Sequence, residues 1–372
     1  MSHSTPTNQS EVLTVGLDIS DRLTHLCIVD SAGKQLHADT VPTAPGSFCD
    51  YFRSHRGLRF VLEAGPHSNW IARELLEVSD DVIVVNANQV RLIAESLRKT
   101  DAHDARTLAF LGARCYELLG RVYQRPSSQQ ADLSLVRSRA ALVRTRTLLI
   151  NSVRGTLKSF DGTKLPASDG HSFHKHAEDL IPEELLPAVR PLVDMITQIT
   201  AQIRAFDKDI ERLNERYSTT AALRQVKGVG PLTALTFTLV IGDPHRFPNR
   251  RDVAAYLGLV PRLRASGART PQMSISKAGD GYTRQLLVEC AHYIMGPFGQ
   301  DSDLRRFGLR LAGSDNPRQK RRATIALARK LAVLLLFLWQ TGVAYEPLYL
   351  AQRRHSEPDQ DLPSKETQLI TA

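Results

Sequence analysis

The sequence predicts an α/β domain at the front of the chain and an all-α remainder behind it. Two observations predict this class: short apolar runs alternate with helical patterns over residues 12–97, and long helical patterns follow from residue 128. The 372 residues are enough for two or three domains. Hydrophobic residues make up 42% and charged residues 23%, which excludes a largely disordered chain, a collagen-like chain and a disulfide scaffold.

Five strands are predicted in the front part: Val12–Ser20, Thr24–Asp30, Gln35–Val41, Leu58–Glu63 and Val82–Asn86. Helices are predicted at Pro45–His55, Ser68–Val78 and Gln89–Leu97. Tight turns join the first three strands, with Ala32-Gly33 as one of them, whereas a helical pattern follows each of the last two. This order predicts a mixed sheet covered by helices. This order matches a ribonuclease-H-like domain better than a doubly wound nucleotide fold. In addition, no GxGxxG motif follows the first strand.

The rest of the chain is predicted to be helical. Asp101–Leu119 predicts one helix, with Thr100 as its N-cap. Two long patterns, Ser128–Phe160 and Glu183–Tyr217, predict an antiparallel, coiled-coil-like hairpin that is either a plain linker or an oligomerisation arm. The predicted domains are therefore 11–125, a helical connector over 126–218 and a helical domain over 219–350. We expect the polar tails, 1–10 and 351–372, to be disordered.

The formal net charge of +9 is unevenly distributed. Residues 11–125 carry 13 basic and 15 acidic side chains, whereas residues 221–350 carry 19 basic and 8 acidic ones. A basic balance favours an anionic partner, either nucleic acid or a membrane surface, and composition alone does not choose between them. The most apolar run, Leu331–Trp339, is too short to span a bilayer, and the four cysteines form no CxxC pair. We therefore expect a cytoplasmic protein with no membrane partner, signal peptide or zinc site.

Acidic residues follow two of the predicted strands. Asp18 lies near the end of the first strand and Glu63 at the end of the fourth, each after an apolar run. Asp101 and Asp104 are three residues apart and share one face of a predicted helix. Each acid also has an ordinary role, as a solvated strand end or as a favourable charge in a first helical turn. As a set, their oxygens suit Mg²⁺ or Mn²⁺, which can assist phosphoryl transfer.

Together these four acids resemble the DEDD tetrad of RuvC-like nucleases. RuvC resolvases place acids on the first strand, on the fourth strand and on a late helix. The resemblance implies a RuvC-like N-terminal domain in which the same side chains are catalytic and bind the metal; they are Asp18, Glu63, Asp101 and Asp104.

Two segments of the basic back half are candidate phosphate-binding sites. Val226–Ala234 resembles a helix–hairpin–helix turn and contains Lys227, Gly228 and Gly230. Its backbone N–H groups can hold a phosphate at a helix start, although an ordinary helix connection is an equal alternative. A basic cluster opens the helix predicted over Ala323–Gln340, where phosphate contact is favoured over a solvated face. The cluster consists of Arg318, Lys320, Arg321 and Arg322, with Arg329 and Lys330 further along.

The run from Gly258-Leu259-Val260-Pro261 through Arg262–Arg269 to Ile275–Glu289 resembles the C-terminal domain of insertion-sequence-110 family transposases. Those enzymes are DEDD recombinases related to the Piv and MooV DNA invertases, and the resemblance covers most of the chain. It implies a transposase that cuts and rejoins DNA through a covalent phosphoserine intermediate. It also implies donor DNA, target DNA and a structured non-coding guide RNA as partners. We further expect a homo-oligomer, either a dimer or a tetramer.

In that family the nucleophilic serine lies in a Ser-Gly step after a Gly-Leu-x-Pro motif, which here is Ser266-Gly267. The basic residues near it that can bind nucleic acid are Arg262, Arg264, Arg269 and Lys277. Ser274 and Ser276 are rival nucleophiles, and a plain loop serine in a phosphate-binding segment is a further alternative. Two other functions stay open: a RuvC-like endonuclease in which water attacks without a covalent intermediate, and an architectural DNA-binding protein with a vestigial tetrad.

Overall fold

The computed structural model describes residues 12–55, 57–86, 100–165, 170–177, 180–262, 273–313, 316–350 and 352. The chain divides into two compact units, Met1–Pro126 and Ser127–Ala372. The helix predicted over Gln89–Leu97 lies outside the described residues, and so do the predicted disordered tails apart from Gln352.

A five-stranded mixed sheet forms the centre of the first unit. Its strands are β1 (Thr14–Ile19), β2 (Leu23–Val29), β3 (Gln35–Pro42), β4 (Arg59–Glu63) and β5 (Asp81–Val85). The strand order is β3-β2-β1-β4-β5; β1 to β3 pair antiparallel, and β4 and β5 run parallel to β1. The turn at Gly33 is confirmed, since this residue has a φ of 84° and donates its N–H to the Asp30 carbonyl at 3.0 Å. The predicted mixed sheet is confirmed, and its topology is compatible with a ribonuclease-H-like domain.

Helices cover both faces of this sheet. The described helices are α1 (Ser47–Phe52), α2 (Ser68–Leu75) and α3 (Asp101–Arg114). Alternate strand residues such as Leu17 and Leu62 share a core with Phe48 of α1 and Ile71 of α2. Helix α3 packs on the opposite face, against β1, β2 and β4. Because side chains alternate along a strand, successive residues of β1 serve two different cores.

The helix predicted over Asp101–Leu119 is shorter in the structure. It ends at Arg114, and a separate 3₁₀ turn follows at Tyr116–Leu118. Cys115, between them, has a non-helical backbone with φ of −136° and ψ of 23°. The predicted N-cap is confirmed, because Thr100 Oγ1 accepts a hydrogen bond from the His103 N–H at 3.3 Å.

Helix α3 and strand β1 approach each other through backbone atoms at Gly16. A Cβ atom at this position would lie 2.1 Å from the Ala105 carbonyl oxygen and 2.3 Å from the Ala109 nitrogen. The next turn of the helix is similarly close, since a Cβ at Gly112 would lie 2.3 Å from Cγ2 of Val61. The backbone atoms of Ala105 and Ala109 cannot rotate aside as a side chain can, so the distance between α3 and β1 depends on glycine at position 16.

The second unit is helical throughout most of its described residues. Its helices are α4 (Ser127–Asp161), α5 (Phe173–Ala177), α6 (Leu186–Arg216), α7 (Thr219–Leu223), α8 (Pro231–Ile241), α9 (Asp252–Tyr256), α10 (Gly281–Met295), α11 (Asp303–Ala312) and α12 (Pro317–Thr341). Helices α4 and α6 form the predicted antiparallel hairpin. Arg139 of α4 donates to Asp207 of α6 at 2.6 Å, and Asp132 accepts from Arg216 and from the Tyr217 hydroxyl.

The hairpin buries its apolar faces inside the chain. Toward its tip, α4 and α6 form a core with α5 that includes Val153, Phe173 and Val193. At its base, Leu133 and Ile210 belong to the core of the C-terminal helices. From the sequence alone, a hairpin this long has few places other than a second chain to bury its apolar face, which favours association. In the described residues that face is buried within the chain, so this argument for association does not hold. The oligomeric state stays a prediction.

Helix α12 begins at Pro317, six residues before the predicted start at Ala323. The basic cluster therefore lies within its first turns and does not precede them. By length and composition alone the helix is able to cross a membrane, and half of its most apolar window is buried. Leu327, Leu331 and Leu335 are fully buried in the C-terminal core. This burial is typical of the central helix of a globular domain.

We expect Gly16→Ala to destabilise the first unit by about 1–3 kcal/mol, the usual cost of overpacking a filled contact. Gly65→Ala is the matched control, because a Cβ there would meet no atom within 4 Å. The measurement is urea unfolding followed through Trp70, which packs edge-on against Phe48 with ring centroids 6.0 Å apart. An unchanged midpoint for Gly16→Ala would contradict the backbone contact between α3 and β1.

Candidate functional site

Asp18 and Glu63 lie on the face of the sheet that α3 covers. Leu17 pairs with Leu62 in the parallel ladder, so the two acids are the next neighbours on adjacent strands. Gly16, two residues before Asp18, contacts α3, as does Val61, two residues before Glu63. Since residues i and i+2 of a strand share a face, both half-buried carboxylates extend from the α3 side at the carboxyl ends of their strands.

Asp101 and Asp104 occupy the first turn of α3. Asp104 is half-buried and Asp101 is exposed. A histidine joins them: His25 of β2 pairs with Asp18 across the antiparallel ladder, and its Nε2 lies 3.7 Å from Oδ2 of Asp101. The helix therefore brings two further acids to the end of the sheet where Asp18 and Glu63 lie.

The four acids act on one another electrostatically. Burial, followed by the negative charges of Asp104, Asp101 and Glu63, raises the pKa of Asp18 from its usual 3.8 to about 6. His25 acts in the opposite direction and lowers the pKa of Asp18. The structure therefore places the four acids predicted from the sequence within electrostatic range at one end of the sheet.

The chemistry of this set fits a divalent cation. Carboxylates that share one site repel each other unless a positive charge neutralises them. Their hard oxygens are ligands that Mg²⁺ and Mn²⁺ accept. Within the part of the chain that the structure describes, no three His, Cys, Asp or Glu side chains already converge as a metal site. The donor types and the charge fit the metal, and the side chains have to draw closer to bind one.

The turn between α7 and α8 contains the predicted phosphate-binding residues of the second unit. Gly228 has a φ of 101°, and Gly230 precedes Pro231 at the start of α8. A Cβ at Gly228 would lie 2.9 Å from Cδ1 of Tyr293, so the turn rests on α10. Lys227 is exposed. The turn thus places an ammonium group beside a helix N-terminus, an arrangement that suits a phosphate.

A short antiparallel ribbon joins residues 258–262 to residues 274–277, and the sequence analysis did not predict it. The backbone N–H groups of Arg262, Ser276 and Lys277 donate to the carbonyl oxygens of Ser274, Val260 and Gly258 at 3.0, 2.8 and 3.2 Å. The segment between the two ribbon strands contains Ser266, Arg264 and Arg269, which lie outside the described residues. Both ends of that segment therefore start from one hydrogen-bonded ribbon.

Arg284 and two glycines fix the base of this ribbon. The Nη1 group of Arg284, in α10, donates to the carbonyl oxygens of Leu257 at 2.9 Å and Ala278 at 2.8 Å. Gly258 and Gly279 both have a φ of 68°. A Cβ at Gly279 would lie 2.0 Å from the carbonyl oxygen of Tyr256. The ribbon is thus attached to α9 and α10 through backbone atoms.

The described polar residues of the ribbon differ in their availability. Ser276 Oγ accepts a hydrogen bond from the Ala278 N–H at 3.4 Å, whereas Ser274 is exposed. Arg262 and Lys277 are both exposed, and Arg262 Nη2 lies 3.4 Å from the Ser276 carbonyl oxygen. Of the two rival nucleophiles, Ser276 is therefore the one engaged in a local turn.

The basic cluster lies in the first turns of α12, where its side chains are exposed. The helix is capped by Asn316, whose Oδ1 accepts from the Arg318 N–H at 2.9 Å. Positive charges at a helix N-terminus oppose the helix dipole, and an anion at the same place would relieve that repulsion. The cluster consists of Arg318, Lys320, Arg321 and Arg322.

Two family models match the chain, and together they span more than half of it. Residues 15–160 match the DEDD transposase model of the IS110 type, and residues 220–303 match the model described as transposase IS116/IS110/IS902 family. The chain belongs to the IS110 family of transposases. This transposase is a DNA-recombining enzyme of an insertion sequence.

The transposase is similar to curated proteins over most of its length. It is 29% identical to a probable family 20 transposase of Pseudomonas aeruginosa, over 80% of this chain and 88% of the relative. It is 26% identical to the transposase for insertion sequence element IS1111A of Coxiella burnetii, over 88% of this chain and 90% of the relative. A pilin gene-inverting protein of Moraxella lacunata is 31% identical over 39% of this chain and 44% of the relative.

Sequence reasoning missed His25 and Arg284. The signal for His25 was its place in a strand, since Cys27 and Val29 on the same face pack against α3 with Ala105 and Ala109. A histidine on a face otherwise built for burial is a candidate site residue. Arg284 gave no such signal, because its acceptor Leu257 is far away in the sequence and meets the nearby Ala278 only in the folded unit.

Asp18→Asn should raise the melting temperature of the metal-free transposase above about pH 6, with the gain vanishing near pH 4. Folding raises the pKa of Asp18 to about 6. The folded state therefore disfavours the ionised carboxylate, which lowers the free energy of unfolding. This loss of stability is absent at low pH, where Asp18 is protonated in both states, and is complete above the pKa of the folded state. Thermal unfolding in EDTA across this pH range measures it. Asp80→Asn, an exposed acid of the same unit, is the control, and equal gains for both variants would refute the argument.

Arg284→Met should make the ribbon strands more susceptible to trypsin. Losing both hydrogen bonds costs roughly 1–3 kcal/mol of local stability, which predicts cleavage after Arg262 and Lys277 about tenfold faster or more. Mass spectrometry of the early fragments gives the rate. Arg306→Met is the control, because Arg306 forms an exposed ion pair with Asp301 at 2.7 Å. If both variants are cut at the wild-type rate, Arg284 does not hold the ribbon base.

Proposed function

We propose that this transposase is a site-specific recombinase that cuts and rejoins DNA strands through a covalent phosphoserine intermediate at Ser266. The observation that carries the metal-dependent part of the proposal is the gathering of Asp18, Glu63, Asp101 and Asp104 at one end of the sheet, where burial and mutual repulsion raise the pKa of Asp18 to about 6. The phosphoserine at Ser266 is proposed from the family resemblance. Such a set costs stability in a fold without a neutralising cation. A role in catalysis gives a physical reason for carrying it.

In the proposed reaction, Ser266 Oγ loses its proton and forms a bond to the scissile phosphorus. The bond from phosphorus to the leaving sugar oxygen breaks, and that oxygen takes up a proton. One phosphate ester replaces another, so the step needs no ATP. A sugar hydroxyl then attacks the phosphoserine, which rejoins a strand and restores the serine. Arg262, Arg264 and Arg269 would hold the phosphate through charge-assisted hydrogen bonds.

The four carboxylates would hold Mg²⁺ or Mn²⁺. When bound, the metal supplies positive charge to the reacting phosphate. The carboxylates have to be ionised to bind the metal. The raised pKa of Asp18 therefore predicts weaker metal binding as the pH falls below about 6. The sequence around Ser266 supplies no His or Asp as a base. The carboxylate domain is therefore proposed to serve this serine, from the same chain or from another protomer.

The basic second unit is proposed to hold donor and target DNA through phosphate contacts. Its candidates are the Lys227–Gly230 turn with Gly228, the ribbon residues Arg262 and Lys277, and the α12 cluster. Guidance by a structured non-coding RNA, assembly as a dimer or tetramer, and action in the bacterial cytoplasm are proposed from the family resemblance. Light scattering of the protein–nucleic acid complex measures the assembly directly.

The test uses purified transposase, its guide RNA and a labelled DNA that carries an element end. In Mg²⁺ the wild type should leave labelled DNA attached to protein on a denaturing gel. Ser266→Ala should bind DNA and yet give neither cleavage nor adduct, and Ser274→Ala is the matched control. Asp18→Asn, Glu63→Gln, Asp101→Asn and Asp104→Asn should each reduce cleavage by at least about 100-fold, because losing a metal ligand should cost no less than the roughly 10–100-fold that losing one of its outer partners costs. DNA binding by these variants should stay near the wild-type level.

Each other outcome has a defined meaning. An adduct that persists in Ser266→Ala moves the nucleophile to Ser274 or Ser276. Cleavage by the wild type without any adduct identifies a RuvC-like endonuclease in which water attacks. Full cleavage in excess EDTA removes the metal from the proposal.

A further inference from the structure

Phe298 is the most exposed large apolar side chain among the described residues, with 78% of its surface accessible. It lies between α10 and α11 in a four-residue turn, Gly296–Gly299, which is closed by a hydrogen bond from the Gly299 N–H to the Gly296 carbonyl at 3.2 Å. A single exposed apolar residue is common and needs no explanation. The construction of this turn is what separates Phe298 from that ordinary case.

The turn is fixed from beneath. Arg305 of α11 donates its Nη1 group to the carbonyl oxygens of Ile294 and Gly296, both at 2.6 Å. A Cβ at Gly299 would lie 2.0 Å from the Ile294 carbonyl oxygen, so the backbone there is in direct contact with the end of α10. A partly buried guanidinium group thus holds the turn that carries an exposed phenyl ring. A fixed turn reduces the entropy lost when a partner covers that ring.

The turn adjoins the candidate phosphate site. Tyr293, at the end of α10, is 47% exposed and packs under Gly228. Lys227 and Gln300 line one small cavity, and Gln300 is two residues after Phe298. Two residues span at most about 7 Å of backbone. Phe298, Tyr293 and the Lys227–Gly230 turn therefore belong to one surface, which we call the aromatic turn surface.

We infer that Phe298, together with Tyr293, stacks on unpaired bases of a nucleic-acid strand whose phosphates contact the Lys227–Gly230 turn. Charge complementarity favours this occupant, since residues 221–350 carry 19 basic and 8 acidic side chains and Lys227 is exposed at the surface itself. Ring faces beside cations are the pattern that binds single strands, because each base offers an apolar face and each phosphate a charge. The inference rests on the proposed nucleic-acid binding by the second unit.

A paired duplex keeps its base faces inside the stack, so the aromatic turn surface selects strands that are single or opened. Strand exchange passes through such opened states. Both DNA and RNA offer the same stacking chemistry, and the experiment therefore compares them. The surface would give the transposase a contact made only once pairing is lost.

The test measures affinity of the full-length protein for three oligonucleotides: single-stranded DNA, RNA of the same sequence, and the DNA duplex. Phe298→Ala should lose about tenfold in affinity for the unpaired strands, the usual scale for one base–aromatic stack. Its affinity for the duplex should not change. Phe298→Trp should bind as the wild type does, whereas Phe298→Leu should behave as Phe298→Ala does, because leucine has no ring face. Leu148→Ala, another apolar residue that is 67% exposed, is the control.

Comparing single-stranded DNA with RNA shows which strand occupies the surface, because Phe298→Ala should lose more affinity for the strand that binds there. An equal loss for duplex and single strands, or wild-type binding by Phe298→Leu, overturns the inference. Self-association that Phe298→Ala abolishes without changing nucleic-acid affinity assigns the ring to a second copy of the chain and also overturns it. Lys227→Ala should lower the affinity for all three oligonucleotides. Because these measurements need no cleavage, failure of the proposed phosphoserine chemistry leaves their outcome unaffected.

Discussion

The first unit depends on the backbone contact between α3 and β1 at Gly16. The Ala105 carbonyl occupies the space where any other residue would carry its Cβ, 2.1 Å from that position. Asp104 precedes Ala105 in the helix, and Asp18 lies two residues beyond Gly16 on the same face of the strand. The contact that sets the depth of the helix therefore also brings these two acids together. A side-chain contact would leave room for adjustment, whereas this one sets the position of the whole first turn.

Bringing four acids together has an electrostatic and desolvation cost, and this cost is distributed unequally among them. Asp101 and Asp104 lie in the first turn of α3, where the helix dipole favours negative charge. Asp18 has no helix terminus of its own, and burial is the largest cause of its raised pKa. His25 pairs with it across the ladder and offsets part of that cost. Asp18 is therefore the member of the set whose ionised form the fold disfavours.

The sequence predicted the sheet well because each of its elements has a local cause. Apolar runs of strand length, the Asp30–Gly33 turn and the Thr100 cap all act within a few residues. The errors have nonlocal causes. The sequence predicts that α12 starts at Ala323, whereas the Asn316 cap shows that the basic residues before it are already helical. The ribbon over 258–277 was missed because its few hydrogen bonds join residues more than ten positions apart. The role of Gly16 depends on a helix that begins 85 residues later, so no local pattern in the sequence indicates it.

The acids of the first unit and the ribbon of the second are positioned by the same device. In the ribbon, Gly258 and Gly279 bring backbone to backbone, and Arg284 bonds to carbonyl oxygens on both sides. In the sheet, Gly16 does the same for α3. Side-chain packing tolerates shifts because rotamers can readjust, but a contact between two backbones has no such freedom. Phosphoryl transfer needs the attacking and leaving oxygens roughly in line, and small misplacements slow it strongly. Under the proposed chemistry, backbone contacts at Gly16, Gly258 and Gly279 would supply this positional constraint, although none of these glycines carries a reacting group.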